Sequence, residues 1–182
     1  MTQHRMMTSM AIANLFIIGI FVRSGSGEAQ PRPAARDLVS TLAQAPPPDF
    51  ALRFEFGTCT TDVLDTFKNV FVRNMDPKPS ISVSVSLSPD TMKTIYHAIV
   101  DSRFFEYPEE FTPRTDIWVA PAEGYRLFVR SGGLSHQVHW RDNARASNDE
   151  AVRLRTLFRR IRQLAFELPE VARLPQSPAI CL

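Results

Sequence analysis

From residue 80 to residue 87 every second side chain is apolar: Ile81, Val83, Val85 and Leu87 alternate with Ser80, Ser82, Ser84 and Ser86. Successive side chains of a strand point to opposite faces, so this octet predicts a strand with one face in a core and the other in water. The same period appears where Phe50, Leu52, Phe54 and Phe56 alternate with Ala51, Arg53 and Glu55. It appears again where Tyr125, Leu127 and Val129 alternate with Arg126, Phe128 and Arg130. Ser131-Gly132-Gly133 then turns the chain into a returning strand with His136, Val138 and Trp140, which makes a hairpin. Strands apolar on one side belong to antiparallel sheets with one wet face, whereas strands buried on both sides run continuously apolar. A sheet of this kind needs a cover for its apolar side.

Two segments can supply it. Ser88 caps a helix with Pro89 at its first position, where a missing N–H costs nothing. Met92, Ile95, Tyr96, Ile99 and Val100 follow the i, i+3, i+4 spacing of one helical stripe. A second helix is expected to start at Ser147, with Glu150 completing a capping box. Its stripe is Ala151, Leu154, Leu157, Phe158, Ile161, Ala165 and Leu168, and Pro169 ends it. Residues 63–67 and 70–73 read as short strands around Lys68-Asn69, and residues 117–120 as a further edge strand. Strands in neighbouring runs with helices between the runs predict an α+β fold. It has two layers, a mainly antiparallel sheet of about five or six strands with two helices packed on one face.

The ends of the chain point to export. His4 and Arg5 precede an apolar run from Met10 to Val22, and Gly27 and Ala29 have the −3 and −1 spacing that signal peptidase requires. Residues 1–29 are therefore expected to be a cleaved signal peptide. The run is shorter than the roughly 20 residues of a membrane span, although Arg23 follows it and residues back to Met6 could lengthen it. The alternative is an uncleaved N-terminal anchor. Residues 30–48, with Pro31, Pro33 and the triplet Pro46-Pro47-Pro48, form an extended linker. Residues 49–182 are then a single domain with a C-terminal tail, exported to the periplasm or secreted. After cleavage it has no membrane span.

About 150 residues remain after cleavage, enough for one core. Removing Arg5, Arg23 and Glu28 lowers the formal charge from +2 to +1, too little to steer a nucleic acid or a membrane. The mature domain has two cysteines, Cys59 and Cys181, and an even count in an oxidising compartment predicts a disulfide between them. The alternative is two unpaired thiols.

Motifs for chemistry are sparse. His136 and His139, three apart on a strand, face opposite ways and cannot share a metal without a bulge, so no metal site is expected. His97 falls on the solvent face of the first helix, one turn before Asp101. The serine run has no G-x-S-x-G elbow, and Gly132-Gly133 lacks the pattern of a phosphate loop. No cofactor is expected. The carboxylates Asp62 and Asp65, and Glu106, Glu109 and Glu110, could do acid–base work only if burial shifted one of them. In loops they would be solvated.

Two surfaces remain. The second helix carries Arg153, Arg155, Arg159, Arg160 and Arg162 around and opposite its stripe, a face for an anionic partner or simply a solvated face. The wet side of the sheet presents Arg53, Glu55, the serines, Arg126, Phe128, Arg130, Gln137 and His139, a platform for a protein or a glycan.

The segments DVLDTFKNVFVRNM (62–75), LSPDTMKTIYHAIVDSRFFEYPEEF (87–111) and YRLFVRSGGLSHQVHW (125–140) resemble a family of uncharacterised bacterial exported proteins. The most specific piece is LDTF combined with FF-x-YP. The resemblance covers most of residues 50–165 and implies export and an intact fold, with no activity attached. The aromatics Phe104, Phe105, Tyr107 and Phe111 are expected to plug the core where the first helix ends. The leading expectation is a noncatalytic envelope or secreted module that binds another macromolecule, an envelope protein or a glycan. The alternative is a small extracytoplasmic hydrolase or other enzyme using loop carboxylates.

Overall fold

The structure, a computed structural model, describes residues 45–59, 61–113, 117–144 and 148–177. The chain divides into two units, Met1–Arg32 and Pro33–Leu182, and every described residue belongs to the second. The signal segment, most of the linker and Cys181 lie outside the described residues.

Six strands form one antiparallel sheet: β1 (Ala51–Gly57), β2 (Asp62–Asp65), β3 (Val70–Arg73), β4 (Ile81–Ser84), β5 (Trp118–Ser131) and β6 (Leu134–Ala144), in the order β4-β3-β2-β1-β5-β6. Helix α1 (Pro89–Asp101), helix α2 (Asp149–Phe166) and the short α3 (Pro169–Ala172) complete an α+β fold. Leu52, Phe54 and Phe56 of β1, Leu64 of β2, Phe71 of β3, and Tyr125, Leu127 and Val129 of β5 are buried in one core with Ile95, Tyr96 and Ile99 of α1. Leu154, Leu157, Phe158 and Ile161 of α2 join the same core. Phe158 sits at its centre, with ring centroids 4.8 Å from Tyr125 and 5.4 Å from Phe54. The alternation therefore sorts the faces as the patterning requires: apolar positions under the helices, Arg, Glu and Ser positions opposite.

Several local expectations are corrected. The run 80–87 pairs only over Ile81–Ser84, because Val85 leaves the ladder and donates its N–H to Asn69 O at 2.9 Å. Residues 117–120 are not a separate edge strand. Trp118 opens the long β5, which reaches past the rest of the sheet to pair with Ala144 after an irregularity between Trp118 and Glu123. The cap of α2 is Asn148, whose side chain accepts the Ala151 N–H at 2.9 Å, and not Ser147, which lies outside the described residues. Asparagine caps at least as well as serine, so one residue's shift costs nothing. His97 is half-buried, with its ring against Tyr96 at 5.8 Å.

The aromatic plug forms as expected. Phe104, Tyr107 and Phe111 are buried, and Phe111 packs edge-on against Trp140 at 5.3 Å. The chain here also protects the sheet. His139 N donates to Glu109 O at 2.6 Å and Phe111 N to His139 O at 2.9 Å, so residues 109–111 add a short parallel bridge to the edge of β6. Covering an edge in this way removes a template for unwanted strand pairing.

Candidate functional site

Two adjacent rows of side chains cross the helix-free face of the sheet. In one, Asp65 of β2 lies beside Arg53 of β1, which lies beside Phe128 of β5 and then Gln137 of β6. In the next, Val63 is followed by Glu55, Arg126 and His139. Arg130 stands two residues beyond Phe128, on the same face. The register thus brings Arg53, Glu55, Arg126, Phe128, Arg130, Gln137 and His139 into one patch.

Their polar groups are tied to one another. Arg53 Nη1 donates to Asp65 Oδ2 at 2.9 Å, and its Nε donates to Glu55 Oε1 at 3.0 Å. Arg126 Nη1 reaches Glu55 Oε2 at 3.3 Å. At the edge, His139 Nδ1 lies 2.9 Å from Glu110 Oε2. The pairs of Glu55 and His139 lie at a wet surface and are each worth about 0–1 kcal/mol, so their main effect is to hold the side chains in place.

The LDTF segment completes the patch, and sequence reasoning missed this part of it. Asp65 is 2% exposed despite facing away from the helices. Its Oδ1 accepts the Phe67 and Lys68 N–H groups at 3.0 and 3.2 Å, folding the turn 66–69 back over the face. Thr66 Oγ1 accepts the Leu52 N–H at 2.8 Å and locks that turn to β1. Phe67 is thereby laid 5.8 Å from Phe128, and the Arg130 guanidinium stacks over the Phe67 ring at 4.9 Å. The signal for this was an Asp followed by Thr at the start of a turn, a pair that bonds locally to backbone. Half-buried Val63, Val70 and Val72 continue the apolar strip beside it.

Two of the five carboxylates expected to be solvated, Asp62 and Asp65, are not. Asp62 and Asp65 are both on β2 and both buried, which corrects the expectation that they are solvated. Being three apart, they face opposite sides of the sheet and cannot act together. Asp62, on the helix side, accepts the Asn74 N–H at 2.9 Å and pairs with Arg73 at 3.1 Å. Burial pushes its carboxyl up, against the opposing pull of the Asn74 N–H and Arg73. A cleft of about 210 Å³ opens beside it, bounded by Phe56, Cys59, Glu123, Arg162 and Phe166. There Glu123 takes a hydrogen bond from Arg162 on one oxygen and from the Tyr125 hydroxyl on the other. Burial, and then that bond to Glu123, push the Tyr125 hydroxyl strongly upward. Glu106, Glu109 and Glu110 are exposed. Among the described residues no three His, Cys, Asp or Glu side chains cluster as a metal site. His136 turns inward and His139 outward, and His136 Nε2 lies 2.9 Å from Tyr107 O.

The arginine face of α2 is smaller than its sequence implies. Arg155 turns to the sheet and grips Asp142 with two hydrogen bonds at 2.6 and 2.8 Å. Its guanidinium also lies 5.1 Å over the Trp140 ring. Arg162 is held by Glu123, and Arg153 lies beside Tyr107. Arg159 and Arg160 alone of the five are exposed.

Cys59 is exposed in the bend after β1, and among the described residues no cysteine is free. Cys181, its expected partner, lies outside the described residues. No described helix is long and apolar enough to cross a membrane. The chain matches no protein-family model, and it matches no curated protein.

Proposed function

We propose that this chain is an exported, noncatalytic module that binds a partner protein across the helix-free face of its sheet. The observation that carries the reading is the Phe67–Phe128 pair with Arg130 stacked on it, set among Arg53, Glu55, Arg126 and His139. Aromatic and arginine side chains presented together on a held surface are the anchors that dominate protein interfaces. The ion pairs around them form a polar rim already ordered before binding, which lowers the entropic cost of association. The competing reading, an enzyme built on carboxylates, has less support. Asp62 is bonded to Arg73 and Asn74, Glu123 to Arg162 and Tyr125, and Asp65 lies on the other face. The resemblance to exported proteins of unknown activity is compatible with this proposal and adds no substrate.

The test places a photo-crosslinking residue at Phe128 and, as a control on the helix layer, at Arg159. Envelope and secreted fractions are then probed. A discrete adduct from position 128 that is lost in Phe67→Asp, with none from position 159, supports the reading. An adduct from position 159 alone, or a position-128 adduct unaffected by Phe67→Asp, overturns it, as would glycan as the sole adduct.

A further inference from the structure

The last turn of α1 and the exposed flank of α2 enclose a groove of about 330 Å³, at the lower end of the size of small-ligand sites. It is independent of the sheet face, lying in the helix layer. Ala98, Val152 and Leu157 give it apolar walls, and Asp101, Arg153 and Arg160 its charges. Two hydroxyls also line it, but neither is available as a donor. Ser102 Oγ donates to Ile99 O at 2.8 Å and Thr156 Oγ1 to Val152 O at 2.8 Å, both within their own helices. The donors left are the guanidinium groups. Arg160 makes no ion pair among the described residues, unlike Arg155 and Arg162 on the same helix. Arg153 Nε is buried and meets no acceptor among them, while the same guanidinium interacts with the Tyr107 hydroxyl. A buried donor without a partner carries a desolvation cost, which an acceptor arriving in the groove would relieve.

We infer that this groove binds a monocarboxylate carried on an apolar body, the carboxylate meeting Arg160 and Arg153 and the body resting on Ala98, Val152 and Leu157. Arginine suits a planar carboxylate because its N–H groups match the two oxygens. Asp101 at the same groove leaves the lining with one net positive charge, which favours a singly charged ligand over phosphate or a polyanion. The carboxylate can come from a free organic acid or from an apolar C-terminal residue of a peptide.

The experiment titrates the ¹⁵N-labelled full chain with 4-phenylbutyrate and follows amide and arginine side-chain signals. Saturable shifts at Ser102, Val152 and Thr156 and at Arg153 Nε–H are expected. The uncharged 4-phenylbutyramide and inorganic phosphate should each bind at least about tenfold more weakly, the scale of a lost charged hydrogen bond. Arg160→Gln should weaken 4-phenylbutyrate by about tenfold while leaving the rest of the spectrum unchanged. Arg153→Gln is the second variant, with the same expectation. Acetyl-Ala-Ala-Phe with a free C-terminus separates the sources: tighter binding than 4-phenylbutyrate assigns a peptide tail, and weaker binding a free acid. Absence of saturable shifts at the groove, equal binding of the amide, preference for phosphate, or indifference to both arginine substitutions overturns the inference.

Discussion

Asp49 is latched to Gly133: its Oδ2 accepts the Gly133 N–H at 2.8 Å, and its Oδ1 accepts the neighbouring Gly132 N–H at 2.7 Å. Both glycines have positive φ, as the two central residues of a tight hairpin turn require, and their N–H groups converge on one carboxylate. The contact ties the start of the domain to the turn between β5 and β6, across 84 residues of sequence.

A pH dependence follows from this latch. The Gly133 N–H, then the Gly132 N–H, hold the Asp49 carboxyl below its ordinary 3.8. A lowered carboxyl contributes stability above its unfolded pKa, about 3.9, and loses it as pH falls through the folded value. Asp49→Asn should therefore melt below the wild type at pH 7. The gap should close as pH is taken well under 3.8. A gap that persists unchanged in acid would show that the charge of Asp49 is not what the turn uses.

The Arg155–Asp142 pair joins helix α2 to the strand β6 with both side chains largely out of water, 17% and 12% exposed. Removing one member leaves the other buried and charged, at a cost of about 3–5 kcal/mol. Arg155→Met alone and Asp142→Leu alone should each approach that loss in urea denaturation. The double variant should be more stable than either single, because no lone charge remains. A double variant whose loss is the sum of the singles would mean the two residues act independently.

These relationships divide by how they could be read from the sequence. The faces of β1, β5 and β6 were legible, because period-two alternation states which side is apolar, and so was the patch of Arg53, Glu55, Arg126, Phe128, Arg130 and His139. Asp65 and Phe67 were not. Their place on that patch depends on a turn folding back over the sheet, and alternation says nothing about where a turn lies. Arg155 and Arg162 were misplaced for a similar reason. Long arginine stems can leave an outward helical position and reach back to Asp142 and Glu123, so helical spacing alone does not assign the charged end. The bridge of residues 109–111 to β6 has no local signal at all.

Cys59 lies at the cleft beside Asp62, and its proposed partner is next to last in the chain. A bridge closing so long a loop restricts the unfolded chain by on the order of 5 kcal/mol in the chain-entropy model, an upper figure. Protein purified without reductant should show no alkylatable thiol, and Cys181→Ser should lower its melting temperature. Two thiols modified by iodoacetamide in native, oxidised protein would rule the bridge out.

Export is tested at the N-terminus. Cleavage after Ala29 predicts a mature chain beginning at Gln30. N-terminal sequencing of the protein from the envelope or medium should return that residue or one close by. Recovery of residues 10–22 in a membrane fraction would favour the uncleaved anchor instead.

Helix α2 supplies a large part of the cover over the sheet's apolar face. Leu154, Leu157, Phe158 and Ile161 are buried against the sheet, and Phe158 touches aromatic rings from β1, β5 and β6: Phe54, Tyr125 and Trp140. Phe158→Ala removes the transfer energy of a whole ring and opens a cavity that three large neighbours cannot fill by small shifts. The loss should be about 3–5 kcal/mol, and for Leu157→Ala about 2–5 kcal/mol. Domains of this size have about 5–15 kcal/mol in total, so either change should remove a large share of it. Arg159 is the next residue along but turns away from the core and is exposed. Arg159→Ala should stay within about 0.5 kcal/mol. Chemical denaturation of the three variants checks the helix's rotation about its own axis as well as its existence. A silent Phe158→Ala with a damaging Arg159→Ala would place the buried face one residue away, and the groove of Arg153 and Arg160 would move with it.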